Sequence, residues 1–418
     1  MIRILTFIAM LPAVLSAEQI PVYADKPVQK EKKMRMQTEL AQLEQKTSST
    51  TPITLFLCGD VMTGRGIDQV LPHPSDPTLY EPYMRDARGY VEIAEQTNGP
   101  ILQPVDFSYI WGDALEELTR EIPDLRIINL ETSITTSSDY WEGKGINYRM
   151  HPANAPVLTA AEIDCCVLAN NHVLDWGYSG LTETLATLKK MGVQSAGAGQ
   201  NLKEAENPAV LDVAGKGRVI VFSLGSPDSG IPFSWAASAD KPGVSLFHEF
   251  SDKTLLHLKK RVQKIKRSDD IVIVSIHWGE NWGYVVPRWQ QEFAHMLIDT
   301  AGVDLVHGHS SHHVKGIEVY RQKLILYGCG DFLNDYEGIG GYETFRSELA
   351  LMYFVRMEPK SGRLIELRMW PTRTRNFKVN RAARKEAQWL LKILNREGLE
   401  LGTRVKMDKD NTLILHWN

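Results

Sequence analysis

The chain has 418 residues, 43% of them hydrophobic and 23% charged, with a formal net charge of −4. That balance suits one large globular domain or two modest ones, and it excludes a bulk nucleic-acid binder, whose phosphate partners call for a strong positive excess. The basic runs Lys259-Lys260-Arg261 and Lys264 to Arg267 fall in a helical stretch and read as a solvated face.

The N-terminus reads as exported. Arg3 precedes the apolar run Ile4 to Leu15, and Ser16-Ala17 offers small residues for cleavage, so residues 1–17 read as a signal peptide. The run is short for a membrane span and Leu15 is a poor residue two places before Ala17, which keeps an uncleaved anchor as the alternative. The expected location is periplasmic or cell-surface. Residues 18–51 are polar and read as a tether with a short helix from Glu31 to Gln45. The body then occupies residues 52–405, with 406–418 as a C-terminal tail.

Ile53 to Cys58 is a first predicted strand, ending at Gly59-Asp60. Residues 67–110 carry many Pro, Asp and Tyr with weak periodicity and read as an irregular insertion or lid, with a short helix near Arg85 to Gln96. Trp111 to Arg120 has helical spacing. Arg126 to Leu130 is a second strand ending at Glu131, and Asp164 to Ala169 a third ending at Asn170-Asn171-His172. Leu181, Leu185 and Leu188 mark an amphipathic helix, and Val193 to Ala196 a short strand closed by Gly197-Ala198-Gly199. Val219 to Leu224 and Ile271 to Ile276 are near-continuous apolar runs, as expected for strands covered on both faces. A helix through Trp289, Phe293, Met296 and Leu297 precedes a strand at Val303 to Val306, which ends at His307-Gly308-His309. Leu324 to Tyr327, the pair Leu349 to Met357 and Leu364 to Met369, and a helix at Lys385 to Arg396 complete the order. Alternating strands and helices give an α/β fold.

Export would place the four cysteines in an oxidising space. Cys58 and Cys329 lie in apolar runs and Cys165 is adjacent to Cys166, so buried free thiols are the reading, with a Cys58–Cys329 bridge as the alternative.

The polar residues after the apolar strands are of one kind: Asp60, Glu131, Asn171 with His172, His277, and His309 with His312. Carboxylate oxygen, amide oxygen and imidazole nitrogen are the donors that borderline divalent metals accept, and strand exits are where open α/β sheets place their chemistry. Each residue also has an ordinary structural reading. Asp60 suits a helix N-cap, Glu131 a pair with Arg149 or Arg126, His277 a core histidine, and His172 an Asx-rich turn. His307 reads as buried behind the site and His313 as an outer residue. Glu280 is a weaker pocket-lining candidate, and Glu318 reads as a strand-face residue. Arg65 and Arg149 are candidates to hold an anionic substrate. Asp175 is placed to hold His172 in one tautomer. Among rival chemistries, no Gly-x-Ser-x-Gly elbow and no P-loop are present, and Gly197-Ala198-Gly199 lacks the third glycine of a dinucleotide fingerprint.

In Gly59-Asp60-Val61-Met62 with Arg65, Asn129-Leu130-Glu131, Ala169-Asn170-Asn171-His172 with Asp175 and Gly177, Gly197-Ala198-Gly199, His277-Trp278-Gly279, Gly308-His309 with His312, and Gly328-Cys329-Gly330-Asp331-Phe332, the chain resembles the CapA family of poly-γ-glutamate capsule synthesis proteins. The resemblance runs from roughly Ile53 to Val405. That family is similar in turn to calcineurin-like metallophosphoesterases. The resemblance implies a four-layer α/β/β/α sandwich with a dinuclear site at strand ends. Asp60 and His312 would hold a first metal, Glu131 would bridge, and Asn171, His277 and His309 would hold the second. His172 would be the general acid, steadied by Asp175. Met62 departs from the histidine that phosphoesterases usually carry two residues after the first Asp. Glu131 stands for an Asp, and two residues rather than one separate His309 from His312. Asp331 replaces the usual Asn of the CapA pattern, and Ser311 a frequent proline.

The resulting expectation is an exported protein for biosynthesis or export of poly-γ-glutamate or a related anionic capsule polymer. It would act by metal-assisted hydrolysis or transfer, with one or two divalent ions (Mn, Fe or Zn). Expected partners are the anionic polymer and membrane subunits of a capsule synthesis complex, with no nucleic acid. Two alternatives stand beside it: a non-enzymatic accessory subunit that binds polymer or partner subunits, and a stand-alone metal-dependent phosphoesterase.

Overall fold

The computed structural model describes residues 51–418, so the expected signal peptide and the tether up to residue 50 lie outside the described residues. Two sheets face each other. In the larger, of ten strands, β1 (Ile53–Val61), β2 (Leu125–Leu130), β3 (Cys165–Val167) and the short Gln194–Ala196 run parallel. On its other side β1 pairs antiparallel with Leu349–Glu358, and the sheet continues through Arg363–Arg375 to the hairpin of Thr403–Met407 and Leu413–Trp417. In the smaller, of six strands, β4 (Gly217–Gly225), β5 (Asp270–His277), β6 (Leu305–His309) and Lys323–Leu326 are parallel, with antiparallel edges at Ala209–Val213 and Ile317–Tyr320. A short strand β7 (Asp331–Leu333) returns to the larger sheet and lies parallel to the end of β1.

The side-chain period of two sorts each strand between layers. Ile53, Leu55 and Leu57 of β1 enter the core between the sheets, whereas Phe56 and Cys58 face the helices outside. Ile271 and Ile273 of β5 join the same inter-sheet core, whereas Val272, Val274 and Ile276 pack on the helices Asp252–Ile265 and Arg288–Ala301. Strands buried on both faces need apolar residues at both parities, which is why these segments read as unbroken apolar runs. The layers are therefore helix, sheet, sheet, helix. Leu390 and Leu394 of the helix Arg384–Leu401 also join the core between the sheets.

Some elements differ from expectation. The stretch from 406 to 418 is not a loose tail: Leu413 and Leu415 are buried in the hairpin against Arg363–Arg375. Leu413–Trp417 lies between Arg363–Arg375 and the edge strand Thr403–Met407, whose exposed Arg404 and Lys406 alternate with buried Thr403 and Val405. Within residues 67–110 the helix is Arg88–Asn98, and Tyr90, Val91 and Ala94 pack with Ile67, Val70, Leu71 and Leu79 in the outer helical layer. Ala209–Val213 was not anticipated as a strand, being only five residues long and carrying Asp212. All four cysteines are buried free thiols, so the alternative Cys58–Cys329 bridge is not formed. Among the described residues no helix is long and apolar enough to cross a membrane.

Candidate metal centre at the strand exits

Parallel register brings residues far apart in sequence to one end of the sandwich. Asp60 of β1 is level with Asn129 of β2 and Asp331 of β7, and His277 of β5 is level with His309 of β6. Because the two sheets face each other, these exits meet. Ligand atoms of Asp60, His277 and His309 lie within 4.8 Å of one another. His309 Nδ1 is 3.8 Å from Asp60 Oδ1 and 2.8 Å from His277 Nδ1. His277 Nε2 is 3.1 Å from Asn171 Oδ1 and 3.9 Å from Glu131 Oε1. His312 lies at the edge of this group, its Nδ1 2.9 Å from both oxygens of Asp331.

Outer hydrogen bonds aim the donors. Asn129 Nδ2 donates to Asp60 Oδ1 (2.7 Å) and the Ser310 amide to Oδ2 (3.2 Å). Asn170 Nδ2 donates to Asn129 Oδ1 (3.0 Å), tying the β3 exit to β2. Ser275 Oγ sits between His309 Nε2 (2.9 Å) and His307 Nδ1 (3.0 Å), and His307 Nε2 donates to the Cys58 carbonyl (2.8 Å). His307 is thus the buried support behind the site, as expected. Such partners fix ring orientation and hold a ligand ready.

Electrostatically the pocket is short of positive charge. Burial, and then the nearby Asp331, push the Asp60 carboxyl up to about 7. Burial, with Asp60 and Asp331, also raises Glu131. Burial holds His277 and His309 well below the ordinary imidazole value, so both present neutral nitrogens. Burial opposes the charged form of His312 as well, but Asp331 and Asp60 outweigh it and raise that ring. Carboxylates crowded beside neutral imidazoles are costly in a dry pocket unless a cation lies among them. The donors therefore fit a divalent ion in number and in kind.

On the other side of Glu131, His172 Nε2 lies 4.0 Å from Glu131 Oε1. His172 Nδ1 meets Asp175 Oδ2 at 2.6 Å, and the Tyr148 ring stacks on the imidazole at 3.8 Å between centroids. The Tyr148 amide donates to the same Asp175 oxygen (2.6 Å). Burial lowers His172 to about 4, against the pull of Asp175.

Lys144 was not anticipated. Its ammonium is 2.7 Å from Asp175 Oδ1 and 3.0 Å from His172 Nδ1. The only sequence signal is its setting in Gly143-Lys144-Gly145, where both glycines take positive φ (76° and 88°) and let the backbone turn the lysine inward. Tyr148, an aromatic in a polar loop, carried no signal of its stacking role.

The two arginines are placed differently from expectation. Arg65 is buried and its donors are taken: Nη1 by Glu81 Oε1 (2.8 Å) and the Tyr90 hydroxyl (3.0 Å), Nε by Asp335 Oδ2 (3.2 Å), and Nη2 by Asp335 Oδ1. Arg149 donates to the carbonyls of Ser137 and Asp76 (2.8 Å each) and lies over the Trp176 ring at 3.7 Å. The Arg65 fork is closed by carboxylates, whereas Arg149 spends one donor of each terminal nitrogen on a carbonyl. A buried guanidinium is stable only where carboxylates or carbonyls saturate it, and the loop residues that do so are invisible to local sequence. Arg126 pairs with Glu162 (2.7 Å), so neither arginine partner weighed for Glu131 is used. Glu318 sits on its strand face with His295 (2.8 Å) and the Tyr327 hydroxyl (2.6 Å).

Residues 54–336 match the family model described as bacterial capsule synthesis protein PGA_cap. A Mycobacterium tuberculosis (strain ATCC 25618 / H37Rv) protein named probable polyglutamine synthesis accessory protein is 50% identical over 362 residues, covering 86% of this chain and 95% of that protein. The Bacillus anthracis capsule biosynthesis protein CapA is 24% identical over 75% of this chain and 68% of its own length. The Bacillus subtilis (strain 168) PGA biosynthesis protein CapA is 26% identical over 74% and 70%. The matched region takes in every strand exit from Asp60 to His312, and the chain belongs to the bacterial capsule synthesis protein family PGA_cap.

Proposed function

We propose that this protein is an exported, CapA-like accessory factor in the synthesis of a polyglutamyl capsule polymer, and that it works through one divalent ion held at the strand exits. The relatives' names support the polymer. The convergence of Asp60, His277 and His309, with Asn171 and Glu131 in reach, is the observation that carries the ion. When bound, such an ion supplies Lewis-acid polarisation of a phosphoryl or amide oxygen. Asp175 accepts from His172 Nδ1 and turns Nε2 toward Glu131 and the pocket; on the neutral ring that nitrogen carries the lone pair, so it is suited to take a proton from an attacking water and then pass it to a departing group. Lys144 balances the Asp175 charge behind it. With Arg65 and Arg149 committed elsewhere, the polymer's carboxylates would meet the ion itself.

One ion rather than two is favoured by a specific observation. The Met62 thioether accepts from the Gly64 amide (3.1 Å), and His312 Nδ1 is turned to Asp331. A second position would therefore rest on few free donors. This also gives weight to the non-enzymatic reading, in which the ion bridges protein and polymer carboxylates without turnover.

Metal analysis and Mn²⁺ titration of the purified protein test the first step. Wild type should bind one ion per chain, and His309→Ala should weaken binding by at least ~100-fold. Wild type with no affinity for Mn²⁺, Fe²⁺ or Zn²⁺ overturns the proposal. γ-Glutamyl and phosphodiester substrates, each with and without Mn²⁺, then separate the readings. Metal-dependent γ-glutamyl turnover lost in His172→Ala supports catalysis on the polymer. Turnover confined to phosphodiesters supports a stand-alone phosphoesterase. Polymer binding unchanged in His172→Ala, with no turnover, supports the accessory subunit.

A further inference from the structure

Asp60, His277 and His309 lie deep, each 1% exposed or less, and solvent reaches the group at Asn171 and at the His312 side chain, which is 14% exposed. Whatever covers His312 therefore governs one way in. We propose that residues 339–344 form a lid beside His312, latched by the stacking of Tyr342 on Trp282; this rests on the reading of the strand exits as a ligand site.

The segment is firmly held at both ends. On one side, Glu337 accepts from the amides of Asn376 (2.7 Å) and Phe377 (2.6 Å), and Gly338 sits so close to Ile93 that a Cβ there would lie 2.5 Å from its Cγ2. On the other side, Arg346 binds Glu348 (2.5 Å) and Glu386 (3.4 Å). Between these anchors, turn bonds join 339–344 to its own flanks (Ile339 amide to Tyr336 carbonyl, 3.0 Å; Phe345 amide to Tyr342 carbonyl, 2.9 Å; Arg346 amide to Glu343 carbonyl, 3.3 Å), and among the described residues a single hydrogen bond ties it to a more distant part of the chain, from the Tyr284 hydroxyl to the Thr344 carbonyl at 3.5 Å. That length marks a weak bond. Gly341 has φ of 116° with no atom near its missing Cβ, so the backbone can turn there without strain or collision.

What holds the middle down is aromatic. The Tyr342 and Trp282 rings stack at 3.9 Å with 4° between planes, and Trp282 reaches the His312 ring at 5.2 Å. Tyr336, just before the first anchor, meets His312 edge-on at 5.8 Å and touches the Tyr148 hydroxyl, and Tyr148 stacks on His172. The arch therefore springs from residues that flank the site, and its latch residue is 52% exposed, which leaves it free to lift into solvent. Glycine hinges, few distant tethers and a deeply set site are what a closing loop requires.

Tyr342→Ala and Tyr342→Phe in the full chain test this. The stack contributes enough that its loss should speed opening by about three- to tenfold, while Phe retains the ring. Amide exchange over 338–345 and EDTA-driven loss of Mn²⁺ should both quicken in Tyr342→Ala by that factor and return to wild-type rates in Tyr342→Phe. Unchanged rates in the Ala variant, or equal acceleration in the Phe variant, overturn the lid. If wild type holds none of Mn²⁺, Fe²⁺ or Zn²⁺, the metal reading fails by itself, and the lid is judged by diethyl pyrocarbonate modification of His312. Faster modification in Tyr342→Ala upholds it and equal rates refute it.

Discussion

Replacing Gly59 by alanine tests whether the end of β1 is positioned by backbone contact rather than by its side chains. An alanine Cβ at 59 would lie 1.7 Å from the Gly330 carbonyl oxygen, 2.7 Å from its carbon and 3.0 Å from the Cys329 carbon, all backbone. Ordinary contact lies near 3.5 Å, so β1 and the segment leading to β7 must part by about 1.5 Å or more. The hydrogen bond from the Asp60 amide to the Gly330 carbonyl, now 2.9 Å, does not survive that displacement. Overpacking costs about 1–3 kcal/mol, and a buried amide left without its partner about 1–3 kcal/mol more, for a loss of about 2–6 kcal/mol. At a urea slope of about 3 kcal/mol/M the midpoint should fall by roughly 0.7–2 M. The same shift carries Asp60 and Asp331 off register, so Mn²⁺ affinity should fall in the refolded variant as well. Urea unfolding followed by circular dichroism, with calorimetric Mn²⁺ titration, reads both. A variant within about 0.5 kcal/mol of wild type and with its Mn²⁺ affinity intact would show that no such close approach aims Asp60, and the account of the β1 exit would fall.

Arg65→Met should destabilise by about 3–5 kcal/mol, because Glu81 and Asp335 are left buried and unpaired. A folded, stable variant impaired only in polymer binding would restore Arg65 as an anion grip. Lys144→Met should destabilise by about 3 kcal/mol through the stranded Asp175 charge, read as a lower thermal midpoint, with partial recovery in Lys144→Arg; an unchanged midpoint would place Lys144 outside the His172 network. The four thiols should resist Ellman's reagent in the native protein and react together on unfolding, and a reductant should leave the midpoint unchanged. A drop on reduction would reveal a disulfide.

The central strands were legible because a strand covered on both faces is apolar at every position, and Val219 to Leu224 or Ile271 to Ile276 cannot be mistaken for a solvated element. The C-terminal hairpin was not, since an edge strand with one wet face resembles an ordered loop in composition. Local sequence likewise marked the strand exits by type, because carboxylate, amide and imidazole cluster there whatever their neighbours are.

What the sequence alone determined is therefore the chemistry of the donors and their place at the ends of apolar runs. Only tertiary structure decided which charges are available. Arg65 looks identical to an anion grip until Glu81 and Asp335 are seen to close its fork, Arg149 until two loop carbonyls are seen to engage it, and Lys144 looks like any loop lysine until its glycine-flanked turn brings it to Asp175. The reason is physical: the cost of a buried charge depends on partners brought together by folding from 16 to 270 positions away, and a linear pattern carries no record of those distances.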